Sequence, residues 1–145
     1  MAKFNFKFDN IIRIKEVLEK KIMKELALID REIESSNAKK KLLIDKKKEL
    51  FEAITSGQIK VYEFKSARMH IRHIERNIHN IEKKIKELEH RREQKNLELI
   101  QKKKELKIFE TLKENKQEEF FFENNREELK QMNEIGISNF IRKEK

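Results

Sequence analysis

An all-α fold is what this sequence predicts: an antiparallel two-helix coiled-coil hairpin with a C-terminal helical overhang. Two apolar ladders and one glycine predict it. The longer ladder steps by three and four residues through Phe64, Ala67, Ile71, Ile74, Ile78, Ile81, Ile85, Leu88, Leu99, Leu106 and Phe109, with Arg92, Lys95 and Lys102 filling its polar rungs. The other runs Ile22, Leu26, Ile29, Ile33, Leu43, Leu50 and Ile54, with Ser36, Lys40 and Lys47 as its polar rungs. A stripe this narrow, held over several heptads, is buried only against another helix. Between the ladders stands Thr55-Ser56-Gly57-Gln58. That is a helix stop of the glycine C′ kind, and two long helices joined by so few residues fold back on each other.

The pattern places a first helix at about 9–55, a turn at about 56–59, a second helix at about 60–133 and a short tail at 134–145, all within one domain. Asp9 or Asn10 offers a side-chain cap for the first helix. Setting Ile54 opposite Val61 brings Leu43 near Ile71 and Ile74, Ile29 near Ile85, and Ile11 near Leu106. In that register Leu112 and all that follows has no partner helix, which leaves Phe120-Phe121-Phe122 on an overhang.

Composition agrees with a seam rather than a layered core. Of 145 residues 43% are charged and none is proline, so the chain has little apolar surface to bury. The lack of cysteine excludes disulfides and zinc–thiolate sites and suits a reducing compartment. No apolar run reaches membrane-spanning length, and Met1-Ala2-Lys3-Phe4 opens no secretory leader. The net charge is +9, yet 27 acids are mixed among 36 bases, the pattern of a solvated, ion-paired face. No groove-entering motif or aromatic platform accompanies the lysines, so no nucleic-acid partner is expected.

Nor does the sequence carry an enzyme. His70 and His73 are three apart, a ligand spacing, but no Asp completes a site, and they read as exposed or seam-flanking side chains. A two-helix scaffold offers no cleft to raise a carboxylate pKa, and Gly57 and Gly136 alone cannot build a phosphate-cradling loop. No catalytic, cofactor-binding or metal-binding residue is expected, and no small-molecule substrate.

The two ends differ. Near the turn, polar rungs Ser36, Lys40 and Lys47 face an isoleucine ladder, which leaves that ladder partly uncovered and predicts either register specification or a docking surface. At the other end Phe4, Phe6 and Phe8 gather near Phe109, Leu112 and Phe120–Phe122.

Three stretches carry a family resemblance: Phe4-Asn5-Phe6-Lys7-Phe8 before the Ile11–Glu16 helix opening, the turn Ser56-Gly57-Gln58-Ile59-Lys60-Val61-Tyr62-Glu63-Phe64, and the ending Lys130-Gln131-Met132-Asn133-Glu134-Ile135-Gly136-Ile137-Ser138-Asn139-Phe140. In this order they resemble the flagellar export protein FliJ family, with Asn133 where the family more often has Asp and Gly136 where a helix-compatible residue is common. The resemblance implies a cytoplasmic component of the flagellar type III protein export apparatus, peripherally associated with the inner face of the cell membrane. It implies an antiparallel helical stalk that couples or activates the export ATPase FliI and also meets the export-gate protein FlhA and flagellar export chaperones. On that reading Phe4, Phe6, Phe8, Phe120, Phe121 and Phe122 are candidate ATPase contacts. Leu43, Lys46, Leu50, His70, Ile74 and Asn77 are candidate export-gate contacts. The competing readings are a structural coiled-coil stalk of another secretion assembly and a basic nucleic-acid-associated rod.

Overall fold

In the computed structural model, which describes residues 3–57 and 59–144, the chain forms two helices, α1 (Asp9–Thr55) and α2 (Val61–Glu144), with no strand among the described residues. Contacts gather into two compact units, one of residues 20–100 and one of 1–19 with 101–145. Within each, α1 and α2 lie side by side and antiparallel.

In the 20–100 unit the seam is thin and aliphatic. Ile22, Ile71, Ile74, Ile85 and Leu88 are buried, and Ile74 is the most enclosed side chain at 2% exposure. Burying one such side chain contributes roughly 1.5–3 kcal/mol, so a few rungs hold the hairpin. Ser36 is buried among the polar rungs of α1. Lys40 and Lys47 do not uncover the isoleucines facing them. Each lays its stem along the seam and carries its ammonium out to a carboxylate of α2, Lys40 to Glu82 at 3.3 Å and Lys47 to Glu75 at 3.1 Å. Long amphipathic side chains cover apolar surface in this way. Across from them Ile71, Ile74 and Ile85 are buried and Ile78 and Ile81 half-buried.

That register differs from the one expected. Lys47 reaches Glu75, Asp30 meets Arg92 at 2.8 Å and Glu25 meets Lys95 at 2.7 Å. Leu43 lies beside Asn77 and Ile81, not beside Ile71 and Ile74. The offset approaches one heptad, the spacing at which apolar rungs meet apolar rungs again. With Lys47 level with Glu75, the first residues of α2 lie beyond the end of α1, and Val61, Tyr62 and Phe64 are exposed.

The end of α1 accounts for its own carbonyls. The hydroxyl of Thr55 donates to Phe51 and Glu52, the Ser56 N–H donates to Glu52, the Ser56 hydroxyl to Ala53, and the Gly57 N–H to Ile54. Three of the four carbonyls that a helix end leaves open, those of Glu52, Ala53 and Ile54, are met in this way. Gly57 sits at φ +70, the left-handed C′ conformation. Gln58, part of the expected turn, lies outside the described residues, as do Met1, Ala2 and Lys145. At the start of α2 the carboxylate of Glu63 accepts the Lys60 N–H at 3.3 Å, half of a capping box.

Two further expectations are corrected. Neither Asp9 nor Asn10 caps α1: the Phe8 carbonyl accepts the first helical bond, from Ile12 at 3.0 Å, and Asp9 lies in the first turn, where its charge favours the helix dipole. The expected tail at 134–145 is helical. Gly136 does not adopt a positive φ, and a glycine in a helix interior costs only about 1 kcal/mol relative to alanine. With Arg142 and Lys143 in the last turn, α2 runs through it to Glu144.

The two glycines therefore respond oppositely to alanine. A Cβ at Gly57 meets nothing within 4 Å, so Gly57→Ala carries only the left-handed backbone penalty, about 1–2 kcal/mol, read as a lowered thermal midpoint. Gly136→Ala stiffens the surrounding helix by roughly 1 kcal/mol, read as slower amide exchange over the last turns of α2. A neutral Gly57→Ala would show that the turn does not set the end of α1.

Candidate functional site

The terminal unit is built by a reversal before α1. The Asp9 N–H donates to the Phe6 carbonyl, a turn that sends the preceding residues back along α2. Phe6 is buried and forms a small core with Ile12 and Leu106, against which Phe4, Phe8, Phe109 and Leu112 pack. Phe8 meets Phe109 edge-on at 5.9 Å and Phe6 at 5.7 Å, while Phe4 reaches Phe120 at 5.5 Å. Edge and tilted contacts of this kind add to simple burial. Leu112 packs on this core beside the first turn of α1, and Phe120 is covered by Phe4 of the N-terminal segment.

Ion pairs clamp the same unit. Lys15 donates to Glu105 at 2.9 Å and stands 5.4 Å from the Phe109 ring centroid. Lys113 meets Asp9 at 2.8 Å. The Lys15 hydrogen bond, with Lys102 nearby, holds the Glu105 carboxyl below its ordinary value. In the other unit the Lys95 hydrogen bond does the same to Glu25, while Glu25 and Glu98 hold the Lys95 ammonium above its own ordinary value. All three groups are solvated, so these pairs orient side chains more than they stabilise the fold.

The aromatic triplet is divided. Consecutive helical residues lie about 100° apart, so only one of them can face the covering segment. That one is Phe120, half-buried. Phe121 and Phe122 are 52% and 70% exposed, and their rings project from α2 at other angles. Beyond Asn124 every described residue of α2 is exposed, including Leu129, Met132, Ile135, Phe140 and Ile141. Of the expected ATPase contacts, then, Phe4, Phe6, Phe8 and Phe120 are brought together as internal packing, and Phe121 and Phe122 remain at the surface. Leu129 and Met132 lie on the overhang as expected, whereas Ile135, Phe140 and Ile141 fall in the stretch expected to be a short tail and are helical instead. Their three- and four-residue spacing was the available signal.

The expected gate contacts also divide. Ile74 is interior and holds the seam, so its side chain is withdrawn from any surface role. Leu43 and Asn77 line one shallow apolar notch with Lys39, Leu42, Asn80 and Ile81. Leu50 is half-buried, and Lys46 and His70 are exposed. Asn77 donates to the His73 ring at 3.4 Å. Leu42, 70% exposed, was passed over because it lies off the ladder, which is why it faces solvent.

Among the described residues no group of His, Asp and Glu is placed to hold a metal ion, and no helix is long and apolar enough to cross a membrane. A comparison with family models matches residues 4–145 to the flagellar FliJ protein. No curated protein and no solved structure matches the chain.

Proposed function

Because this chain belongs to the flagellar FliJ protein family, whose members are non-catalytic components of the flagellar export apparatus, we propose that it is the part of that apparatus which couples or activates the export ATPase. Its terminal unit would meet the ATPase FliI. Its turn-proximal unit would meet the gate protein FlhA, and chaperones of exported subunits would be escorted between them, at the inner face of the membrane.

One observation carries this reading: Phe121 and Phe122 stand exposed beside an internally satisfied aromatic cluster. Large exposed aromatic side chains in a group mark interaction surfaces, and the packed Phe4–Phe8 segment presents them on a fixed support. The experiment is direct. Purified chain added to its cognate export ATPase should change the rate of ATP hydrolysis, and an unchanged rate across a saturating titration removes the coupling role.

The gate contact has its own expected result. Lys46→Ala, His70→Ala and Asn77→Ala together should leave helicity close to the parent, as surface changes usually do, and weaken binding to the cytoplasmic part of the gate. Unchanged affinity in the triple variant would place the gate contact elsewhere on the chain.

A further inference from the structure

The outward face of α2 in the 20–100 unit carries one sign of charge. Opposite the seam residues Ile71, Ile74, Ile78, Ile81, Ile85 and Leu88 lie, in order, Lys65, Arg72, Arg76, Lys83 and Lys86, interleaved with His73, His79 and His90. All are exposed, and among the described residues none of these lysines or arginines is ion-paired. The nearest acids of the seam edge, Glu75 and Glu82, are engaged by Lys47 and Lys40 of α1. Glu87 is the one acid within the stripe itself.

A solvated coiled-coil back is ordinarily mixed in sign, and α1 shows that pattern. On its outward side Lys20, Lys24, Arg31, Lys41 and Lys48 are interspersed with Glu34, Asp45, Glu49 and Glu52. The outward stripe of α2, with Glu87 as its one acid, is therefore more nearly of one sign than the outward side of α1. At 1.5 Å per residue the stripe from Lys65 to His90 is on the order of 35–40 Å long. At its turn-proximal end Tyr62 and Met69, 70% and 65% exposed, lie on the same face among the first cations.

We propose that this face of α2 binds an anionic lipid surface directly, with the basic stripe lying along phosphate headgroups and Tyr62 and Met69 entering the interfacial layer. A row of solvated lysines and arginines, with only an open hollow lined by Met69, Arg72, Arg76 and His79 among them, suits a diffuse planar charge. Protein interfaces are instead depleted in lysine and built around a desolvated centre. Tyr62 is the one Phe, Tyr or Trp on this face, short of the several stacked rings a single-strand platform uses. Polybasic segments draw affinity from anionic leaflets at roughly fivefold per residue, and tyrosine favours the headgroup level. The proposal deepens the membrane-proximal placement given above and leans on it only for where such a lipid would be met. Lipid alone is the probe, so its failure leaves the ATPase and gate contacts standing.

The test is co-sedimentation of the full chain with vesicles. At about 0.1 M salt, where the screening length is about 10 Å, the chain should bind vesicles of phosphatidylcholine with phosphatidylglycerol, release as salt is raised, and ignore vesicles of phosphatidylcholine alone. Neutralising the stripe with Arg72→Gln, Arg76→Gln, Lys83→Gln and Lys86→Gln should weaken binding more than about tenfold while circular dichroism stays helical. A control that removes the same charge from α1, with Lys24→Gln, Lys39→Gln, Lys41→Gln and Lys48→Gln, should change it by less than about threefold. No binding to the anionic vesicles overturns the proposal, and so does binding to both vesicle types alike. Equal loss in the two variants reduces the effect to net charge and overturns it as well. A random-sequence duplex DNA that displaces the chain from vesicles, and whose own binding depends on the stripe, would reassign the face to nucleic acid.

Discussion

Ile74→Asp should unfold the turn-proximal hairpin. At 2% exposure the isoleucine contributes roughly 1.5–3 kcal/mol of apolar burial, and a carboxylate in its place stands in the seam without a cation. Burying an unpaired charge costs several kcal/mol more, so the combined loss exceeds about 4 kcal/mol, an uncommonly large effect for one residue. The stability of a small domain is about 5–15 kcal/mol, and a seam of few rungs has little to spare. Helical circular dichroism at 222 nm and thermal melting read the result, with Leu97→Asp as the comparison. Leu97 is 62% exposed on the same helix, so its replacement should shift stability by no more than about 0.5 kcal/mol. If both variants melted together near the parent, the seam assigned here would not be what holds α1 to α2.

Replacing Phe121 and Phe122 by serine should have the opposite signature. Neither ring is needed for internal packing, apart from the 5.9 Å edge contact between Phe121 and Phe120, so the thermal midpoint should move little. Burying a phenylalanine in a partner is worth roughly 1.5–3 kcal/mol, so losing both should weaken ATPase binding by about two decades or more and suppress stimulation of hydrolysis. Phe120→Ser separates the roles. It removes the ring that Phe4 leans on and should lower the stability of the terminal unit. A Phe121/Phe122 double variant that melts early but still stimulates the ATPase would move these rings into the core and the contact elsewhere.

What could be read without coordinates was whatever depends on periodicity and on single-residue backbone preference. The two ladders specify two helices and one buried face on each, because a 3.5-residue repeat has only one way to be covered. Gly57 specifies the end of α1, because the left-handed C′ conformation costs glycine nothing. Both properties are local, and local properties survive in a linear string.

Tertiary structure alone decided how the ladders align and which apolar side chains stay at the surface. A heptad pattern repeats, so shifting one helix past the other by about seven residues matches rungs nearly as well. The choice fell to pairs that exist only between helices, Lys47 with Glu75, Asp30 with Arg92 and Glu25 with Lys95. Coverage is likewise relational. Phe120, Phe121 and Phe122 are identical in sequence terms, and only the reversal that brings Phe4 back onto α2 separates the packed ring from the two exposed ones. Gly136 shows the converse: a residue that can end a helix ends it only where the backbone turns left-handed, and here nothing makes it turn.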